Sequence, residues 1–104
     1  MIVVTTEAVE GKIIKQCLGM VRGSTIRSRW LGRDIMAGLK TLVGGEIKSY
    51  TDMMNKARDE AQARMEEEAK KLGADAIVAV RFSTANVMQG AAEILAYGTA
   101  VKLR

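Results

Sequence analysis

Residues 49–72 read SYTDMMNKARDEAQARMEEEAKKL, the most regular stretch of the chain. Apolar side chains recur there at helical spacing, and acidic residues stand four positions before basic ones, the order that stabilises a helix. Ser49 with Asp52 three residues later is typical of a helix start, and Gly73 is typical of a helix end. The stretch therefore predicts one long amphipathic helix.

One charged pair interrupts the apolar face of this helix. Glu68 falls near the centre of the face, and Arg64 lies at its margin four residues earlier. A charge directed into a core is costly unless it is paired and hydrogen-bonded. The pair is therefore either a polar site at a junction between subunits or a surface pair that a bend in the helix turns outward.

Segments typical of β-strands lie on both sides of the long helix. They combine apolar and β-branched residues with strand-like patterns, and they cover residues 2–5, 12–21, 76–83 and 93–103. The segment 76–83 is apolar on both faces except at Arg81, which indicates a central strand. The last two segments are joined by a modest loop, which predicts an antiparallel pair.

A shorter helix is predicted before the long one. Residues 30–42 carry Leu and Ile at spacings of four, four and three, and Gly44-Gly45 is expected to end this helix. Residues 22–29 and 84–92 are expected to be connections. The order β-β-α-α-β-β predicts a single α+β domain, residues 1–104, in which a small mixed or antiparallel sheet packs on the helices.

The composition narrows the chemistry. The chain of 104 residues has no histidine and one cysteine, Cys17, which excludes a Ser–His–Asp or Cys–His catalytic pair and removes the commonest transition-metal ligand. Hydrophobic residues make up 48% of the chain but aromatic residues only 4%. A small aliphatic core gains from burying more surface against further copies of the chain, which favours a homo-oligomer.

Location and charge suggest two further expectations. Neither a signal peptide nor an apolar run of the roughly 20 residues that span a membrane is visible, so we expect a cytoplasmic protein without a membrane span. In the basic segment 22–33, arginines surround Trp30; such a set can hold phosphates and stack on bases. The alternatives are a solvated basic face or arginines that pair with acids of a neighbouring subunit.

The remaining candidate site residues carry oxygen or sulfur donors. Carboxylates and tyrosines can bind a hard cation or perform acid–base work, although nothing in their spacing requires it. A buried, inert thiol is the default for Cys17, but copies of it would form a thiolate metal site if they converged on the axis of a cyclic oligomer. The oxygen donors are Glu46, Asp52, Asp59, Glu93, Tyr50 and Tyr97.

An ordered set of short stretches matches a known family. They are Gly44-Gly45-Glu46 with Tyr50, Ala57-Arg58 with Ala61, Met65 with Ala69, Gly73-Ala74-Asp75-Ala76, and EILAYGTAV from Glu93 to Val101; residues 19–23 followed by Asp34 fit as well. The chain thereby resembles the YbjQ-like family, small bacterial and archaeal proteins of unassigned function that carry a heavy-metal-binding label.

The resemblance implies a subunit related to the dodecin architecture, assembled into a ring of five in which strands from neighbours extend each sheet. It also implies polar site candidates at Glu46, Tyr50, Arg58, Glu93 and Tyr97. If a divalent metal ion binds, the resemblance leaves Glu46, Glu93 or Cys17 from several subunits as its ligands.

Three hypotheses follow. The first is a non-catalytic homo-oligomeric binding or structural protein with a metal-ion or small-ligand site at subunit junctions. The second is a protein that binds nucleic acid or an anionic surface through residues 22–33. The third is an enzyme with a carboxylate site between subunits, for which the sequence offers no poised acid–base pair.

Overall fold

The computed structural model describes residues 1–28, 43–88 and 91–104. Within them lie four strands and one long helix. The predicted first helix, residues 30–42, lies outside the described residues. The elements are β1 (Ile2–Val3), β2 (Ile14–Ser28), α1 (Val43–Lys71), β3 (Ala76–Met88) and β4 (Ala91–Leu103).

The strands form one mixed sheet in the order β1-β3-β4-β2. Strand β1 runs parallel to β3, whereas β4 pairs antiparallel with both β3 and β2. The predicted antiparallel pairing of the last two strands is therefore confirmed, and β3 lies inside the sheet where it pairs with β1. The described residues thus form a small α+β fold, with one helix packed on a mixed four-stranded sheet.

The main core lies between α1 and one face of the sheet, and small side chains dominate it. Gly23 on β2 shows how close the two layers come, since a Cβ atom built there would lie 2.3 Å from the backbone oxygen of Ala61 and the backbone nitrogen of Met65. The helix therefore contacts the strand backbone directly. The fully buried residues of this core include Ala57, Ala61, Met65, Ala69, Val21, Ile77, Ile94, Ala96 and Ala100.

A second, smaller core lies on the other face of the sheet. Ala76, Val78 and Val101 are buried there, and Val4 and Val9 from the N-terminal segment pack against them. Among the described residues, this segment covers only the half of the face near β1. Farther along, Tyr97 on β4 and Ile26 on β2 remain exposed.

Both predicted connections that the structure describes are strands. Residues 22–28 continue β2 because Gly23 and Thr25 face the helix while Arg22 and Ile26 face outward, so a half-buried strand looked like a polar loop. Residues 84–88 continue β3 because they pair with β4, although all of them are exposed.

The predicted helix bounds were also wrong at one end. Gly44 and Gly45 do not end a helix; they lie in the first turn of α1, which begins at Val43 rather than near residue 49. The amide groups of a first turn have no partner within the helix, so glycine is better tolerated there than in the helix interior.

Glu68 is exposed, because the line along which α1 contacts the sheet winds around the helix. The buried residues Ala57, Ala61, Met65 and Ala69 are four positions apart, so each step advances the contact line by about 40° at 3.6 residues per turn. Glu68 lies about 100° away from its neighbour Ala69. Glu68 is thus exposed on the single chain, and its place at a junction between subunits stays a prediction.

Candidate functional site

A network of charged side chains connects the C-terminal part of β2 to α1. Arg27 on β2 donates from Nη2 to Oε2 of Glu60 at 2.6 Å, and Arg64 donates from Nη2 to Oε1 of the same carboxylate at 2.7 Å. Arg64 also donates from Nη1 to the backbone oxygen of Ser24 at 2.5 Å. One carboxylate on the helix thus accepts two guanidinium groups, one of them from the strand.

Glu60 is held in its charged form by these partners. The hydrogen bond from Arg27 and, to a lesser extent, the nearby charge of Arg64 lower the pKa of Glu60 below its ordinary value of 4.5, while desolvation works in the opposite direction. Its side chain is 39% exposed. The network therefore acts as an ionic clamp between helix and strand rather than as a proton-transfer group near neutral pH.

An open groove of about 480 Å³ runs beside this clamp, between α1 and β2. It contains both members of the charged pair singled out in the sequence, Arg64 and Glu68, although Arg64 bonds to Glu60 rather than to Glu68. Three basic and two acidic side chains give the groove a mixed charge. Its lining residues are Arg22, Gly23, Ser24, Arg64, Glu67, Glu68 and Lys71.

The predicted metal ligands are not brought together within one described chain. Cys17 pairs in register with Val101 on β4, eight positions from Glu93 on the same strand, which corresponds to about 27 Å at 3.4 Å per residue. Cys17 is exposed rather than buried, so the default interpretation of its thiol was wrong. Glu93 is half-buried, opposite Ile26 on β2 and Ala85 on β3.

The other polar candidates are dispersed. Tyr97 lies on the sheet face away from α1, opposite Arg22 and Arg81, and its side chain is 37% exposed. Arg58 is exposed on the helix and donates to Oδ1 of Asn55 at 2.9 Å. Glu46 and Tyr50 lie in the N-terminal part of α1, where the structure describes the backbone only.

A metal site within the described part of one chain does not fit these positions. Residues 1–28, 43–88 and 91–104 contain no group of three or more His, Cys, Asp or Glu side chains that could hold a metal ion. The two carboxylates of the groove, Glu67 and Glu68, share it with three basic residues, which oppose a cation.

The two arginines of the basic segment that the structure describes, Arg22 and Arg27, have different surroundings. Arg27 is occupied by its bond to Glu60, whereas Arg22 is exposed beside the groove. Arg29, Trp30 and Arg33 lie outside the described residues. The Arg27–Glu60 bond joins residues 33 positions apart, and no periodicity in the sequence indicated it.

The fold and its small-residue core define a class of small α+β domains in which one helix lies on a mixed sheet. The family model YbjQ_1, described as "Putative heavy-metal-binding", matches residues 1–104. The chain belongs to this family, and the resemblance read from its motifs is confirmed.

Two similar proteins, one from a bacterium and one from an archaeon, are both named UPF0145 proteins. A UPF0145 protein of Thermus thermophilus is 61% identical over 102 residues, which cover 98% of this chain and 90% of the relative. A UPF0145 protein of Methanosarcina acetivorans is 58% identical over 103 residues, 99% of this chain and 97% of the relative. The family therefore occurs in bacteria and archaea.

A solved structure supports the fold alone. The crystal structure of a protein with unknown function from Pediococcus pentosaceus, of the DUF74 family, matches with a TM-score of 0.66 at 20% identity, and covers 100% of this chain and 98% of that one. In the described part of this chain, no helix is both long and apolar enough to cross a membrane.

Proposed function

We propose that the protein is a non-catalytic, homo-oligomeric binding or structural protein of the cytoplasm, a ring of five subunits with a metal-ion or small-ligand site at the subunit junctions. The ring and its size come from the family resemblance. The ligand class comes from the family description and from the oxygen and sulfur donors of the chain.

The observation that supports the proposed assembly is that the subunit is elongated and leaves part of its sheet exposed. Its radius of gyration is 16.9 Å and its extents are 55 × 25 × 17 Å, whereas a compact domain of about 100 residues has a radius near 13 Å. Strand residues 81–88 are all exposed. A small domain that leaves strands uncovered in this way gains stability by packing against copies of itself.

The position of the donors is the reason for placing the site between subunits. Within one chain, Cys17 and Glu93 are held about 27 Å apart by the register of β4, so neither can complete a site with the other. Symmetry in a ring brings copies of one residue together, and Cys17 lies on an edge strand where a neighbouring subunit can reach it.

Native mass spectrometry of untagged protein tests the assembly, and calorimetric titration tests the site. We expect a mass that is a multiple of 11.3 kDa, with metal bound in a fixed ratio to rings. Binding of zinc in preference to magnesium or calcium indicates thiolate donors, and the reverse preference indicates carboxylates.

Three variants locate the donors: Cys17→Ser, Glu46→Ala and Glu93→Ala. Glu10→Ala, which removes an exposed carboxylate from the N-terminal segment, is the matched control. If the three variants and the control all bind zinc, magnesium and calcium as the wild type does, the proposed donors are wrong. A wild-type mass of 11.3 kDa would refute the assembly.

Binding of nucleic acid is the second candidate, and Arg22 is the observation that favours it. It stands exposed beside Arg64 and Lys71 in the groove, and a ring would repeat this set and make weak contacts add. A gel-retardation assay across salt concentrations is decisive, because phosphate contacts weaken steeply as salt rises. No retardation at low salt eliminates this candidate.

A further inference from the structure

Tyr97 stands between two arginines on the face of the sheet that points away from α1. It lies on β4, and each neighbouring strand places an arginine directly opposite it, Arg22 on β2 and Arg81 on β3. Directly opposed residues of antiparallel strands project from the same face, with their Cβ atoms about 5 Å apart. The three side chains, all of them exposed, therefore form one line across the sheet, the Arg–Tyr–Arg row.

An irregularity in the register of β3 brings Arg81 to this face. Val78 lies opposite Thr99 and Arg81 lies opposite Tyr97, so three steps along β3 correspond to two steps along β4. Within the irregular stretch, Ala79 has a φ angle of 53°, a left-handed conformation that is uncommon for residues other than glycine. A regular register would place Arg81 opposite Ala96, which is fully buried on the helix side.

Strand β2 has an equivalent irregularity. Cys17 lies opposite Val101 and Gly19 lies opposite Ala100, so two steps along β2 correspond to one step along β4, and Gly19 has a φ angle of 114°. A regular register from Cys17 would place Arg22, too, opposite Ala96. Bulges turn a side chain to the other face of a sheet and are frequent beside functional sites. Two separate bulges thus place an arginine on both sides of one tyrosine.

The charge of these two arginines is not neutralised within the described part of the chain. The ion pairs of the described residues join Glu60 to Arg27 and to Arg64. Arg81 donates from Nη1 to the backbone oxygens of Thr5 and Val80, each at 2.8 Å, which holds its guanidinium group without cancelling its charge. The strand positions beside the row on this face contain no acid, so the row attracts an anionic ligand. These positions are Met20, Ser24, Ser83, Leu95 and Thr99.

We propose that the Arg–Tyr–Arg row binds single-stranded nucleic acid, with one base stacked on Tyr97 and the phosphates on either side of that base held by Arg22 and Arg81. Exposed aromatic side chains stack on unpaired bases, and guanidinium groups bind phosphates. This inference rests on nucleic-acid binding, the second candidate function. It adds Tyr97 and Arg81, which lie outside the basic segment, and it restricts the ligand to a single strand.

The spacing of the row favours a nucleic-acid strand over a free mononucleotide. Arg22 and Arg81 lie on strands two positions apart in the sheet, which separates their backbones by about 10 Å. A base within a strand has a phosphate on each side, whereas a mononucleotide has one and can engage one arginine. Bases in a duplex are already stacked and paired, and extruding one costs energy, so a duplex gains only the phosphate contacts.

Variants of Tyr97 test the stacking contact. The probe is a labelled oligothymidylate of about ten nucleotides, a length in the range of single-strand binding sites, followed by fluorescence anisotropy at low salt. We expect Tyr97→Ala and Tyr97→Leu to weaken binding by about 5- to 150-fold, the loss of one stacked base. Tyr97→Phe keeps the ring and should bind as the wild type does. A duplex of the same length should bind more weakly.

Variants of the arginines test the phosphate contacts. Each of Arg22→Ala and Arg81→Ala should reduce the slope of log affinity against log salt by about 0.7, the value for one phosphate contact with a single strand. Arg104→Ala is the matched control, because it removes the same charge from an exposed position about 24 Å along the chain from Tyr97 at 3.4 Å per residue. This control should leave the slope unchanged.

The outcomes separate this inference from the candidate function on which it rests. A wild type that binds neither the single strand nor the duplex at low salt overturns both. Binding that Tyr97→Ala and Arg81→Ala leave unchanged, but that Lys71→Ala weakens, overturns the inference and leaves nucleic-acid binding at the groove standing. Equal affinity for duplex and single strand also overturns the inference.

Ultraviolet crosslinking of the wild type to the same oligothymidylate covers the case in which a variant does not fold. A base stacked on Tyr97 should crosslink to the peptide that contains this residue, identified by mass spectrometry after digestion. Crosslinks confined to other peptides would show that the base lies elsewhere, and the inference would be wrong.

Discussion

Gly23→Ala is expected to separate α1 from the sheet. The new Cβ atom would lie 2.3 Å from the backbone oxygen of Ala61 and the backbone nitrogen of Met65, and 2.8 Å from the carbonyl carbon of Arg64. All three are main-chain atoms of a helix, so no side-chain rotation relieves the contact. Relief requires that the helix move away, which opens the core around the fully buried side chain of Met65.

The expected cost of Gly23→Ala lies at or above the upper end of the range for overpacked cores, about 3 kcal/mol of unfolding free energy. At about 4–8 °C per kcal/mol for a domain of this size, the melting temperature should fall by at least about 12 °C. Thermal unfolding followed by circular dichroism measures this at a fixed protein concentration, which matters for any chain that assembles.

Two matched variants make the reasoning specific. Ser24→Ala, at the next position, leaves the backbone bond to Arg64 in place and should change stability by less than about 0.5 kcal/mol. Gly98→Ala should fall between the two, because its contacts are longer: the nearest atom is Cγ2 of Ile77 at 2.8 Å, and the nearest backbone atom is the oxygen of Val78 at 3.0 Å. A Gly23→Ala protein that melts with the wild type would refute the close packing of α1 on β2.

Three further predictions follow from buried, charged and exposed side chains. Met65→Ala removes the largest fully buried side chain of the core and should cost about 2–5 kcal/mol, measured by urea unfolding. Because the folded pKa of Glu60 is lowered, the stability that its ion pairs contribute is present above the unfolded pKa and is lost as pH falls through the folded pKa. Glu60→Gln should therefore flatten the fall of the urea midpoint between neutral pH and about pH 3. An unchanged slope would contradict the contribution of these ion pairs. Cys17 is exposed, so a thiol reagent should label the folded protein as fast as the urea-unfolded protein, and slow labelling of a confirmed monomer would contradict its position.

Regular periodicity explains which elements were predictable. Strand β4 alternates between Ile94, Ala96, Gly98 and Ala100 on the helix side and larger residues on the other, and the structure buries those four positions. The long helix was equally visible in its spacing. Both elements have one face in a core, and burial of one face requires apolar residues at regular spacing in the sequence.

The two strand segments that the sequence predicted to be connections have no regular apolar face. In residues 22–28 the buried positions include Gly23 and Thr25, which are small or polar, so no apolar alternation marks them. Thr25 can be buried because its hydroxyl group donates to the backbone oxygen of Ala57 at 3.2 Å. Residues 84–88 are exposed on both sides of the sheet, so only pairing with β4 identifies them as a strand.

The candidate site was predictable only where its partners are close in sequence. Glu60 and Arg64 are four positions apart on one helix, and their pairing was visible as a favourable helical spacing. The bond from Arg27 to the same carboxylate depends on the approach of α1 to β2. That approach is set by Gly23, a residue whose contribution is the absence of a side chain.

Assembly and metal binding are therefore one question for this chain rather than two. A thiolate site needs several sulfur atoms within bonding distance of one ion, and a chain with a single cysteine supplies them only through copies. Cys17 is exposed on the outer strand β2, whereas Glu93 is half-buried within the sheet. A neighbouring subunit can reach the first more easily than the second, so a soft metal ion held by Cys17 requires an interface along β2.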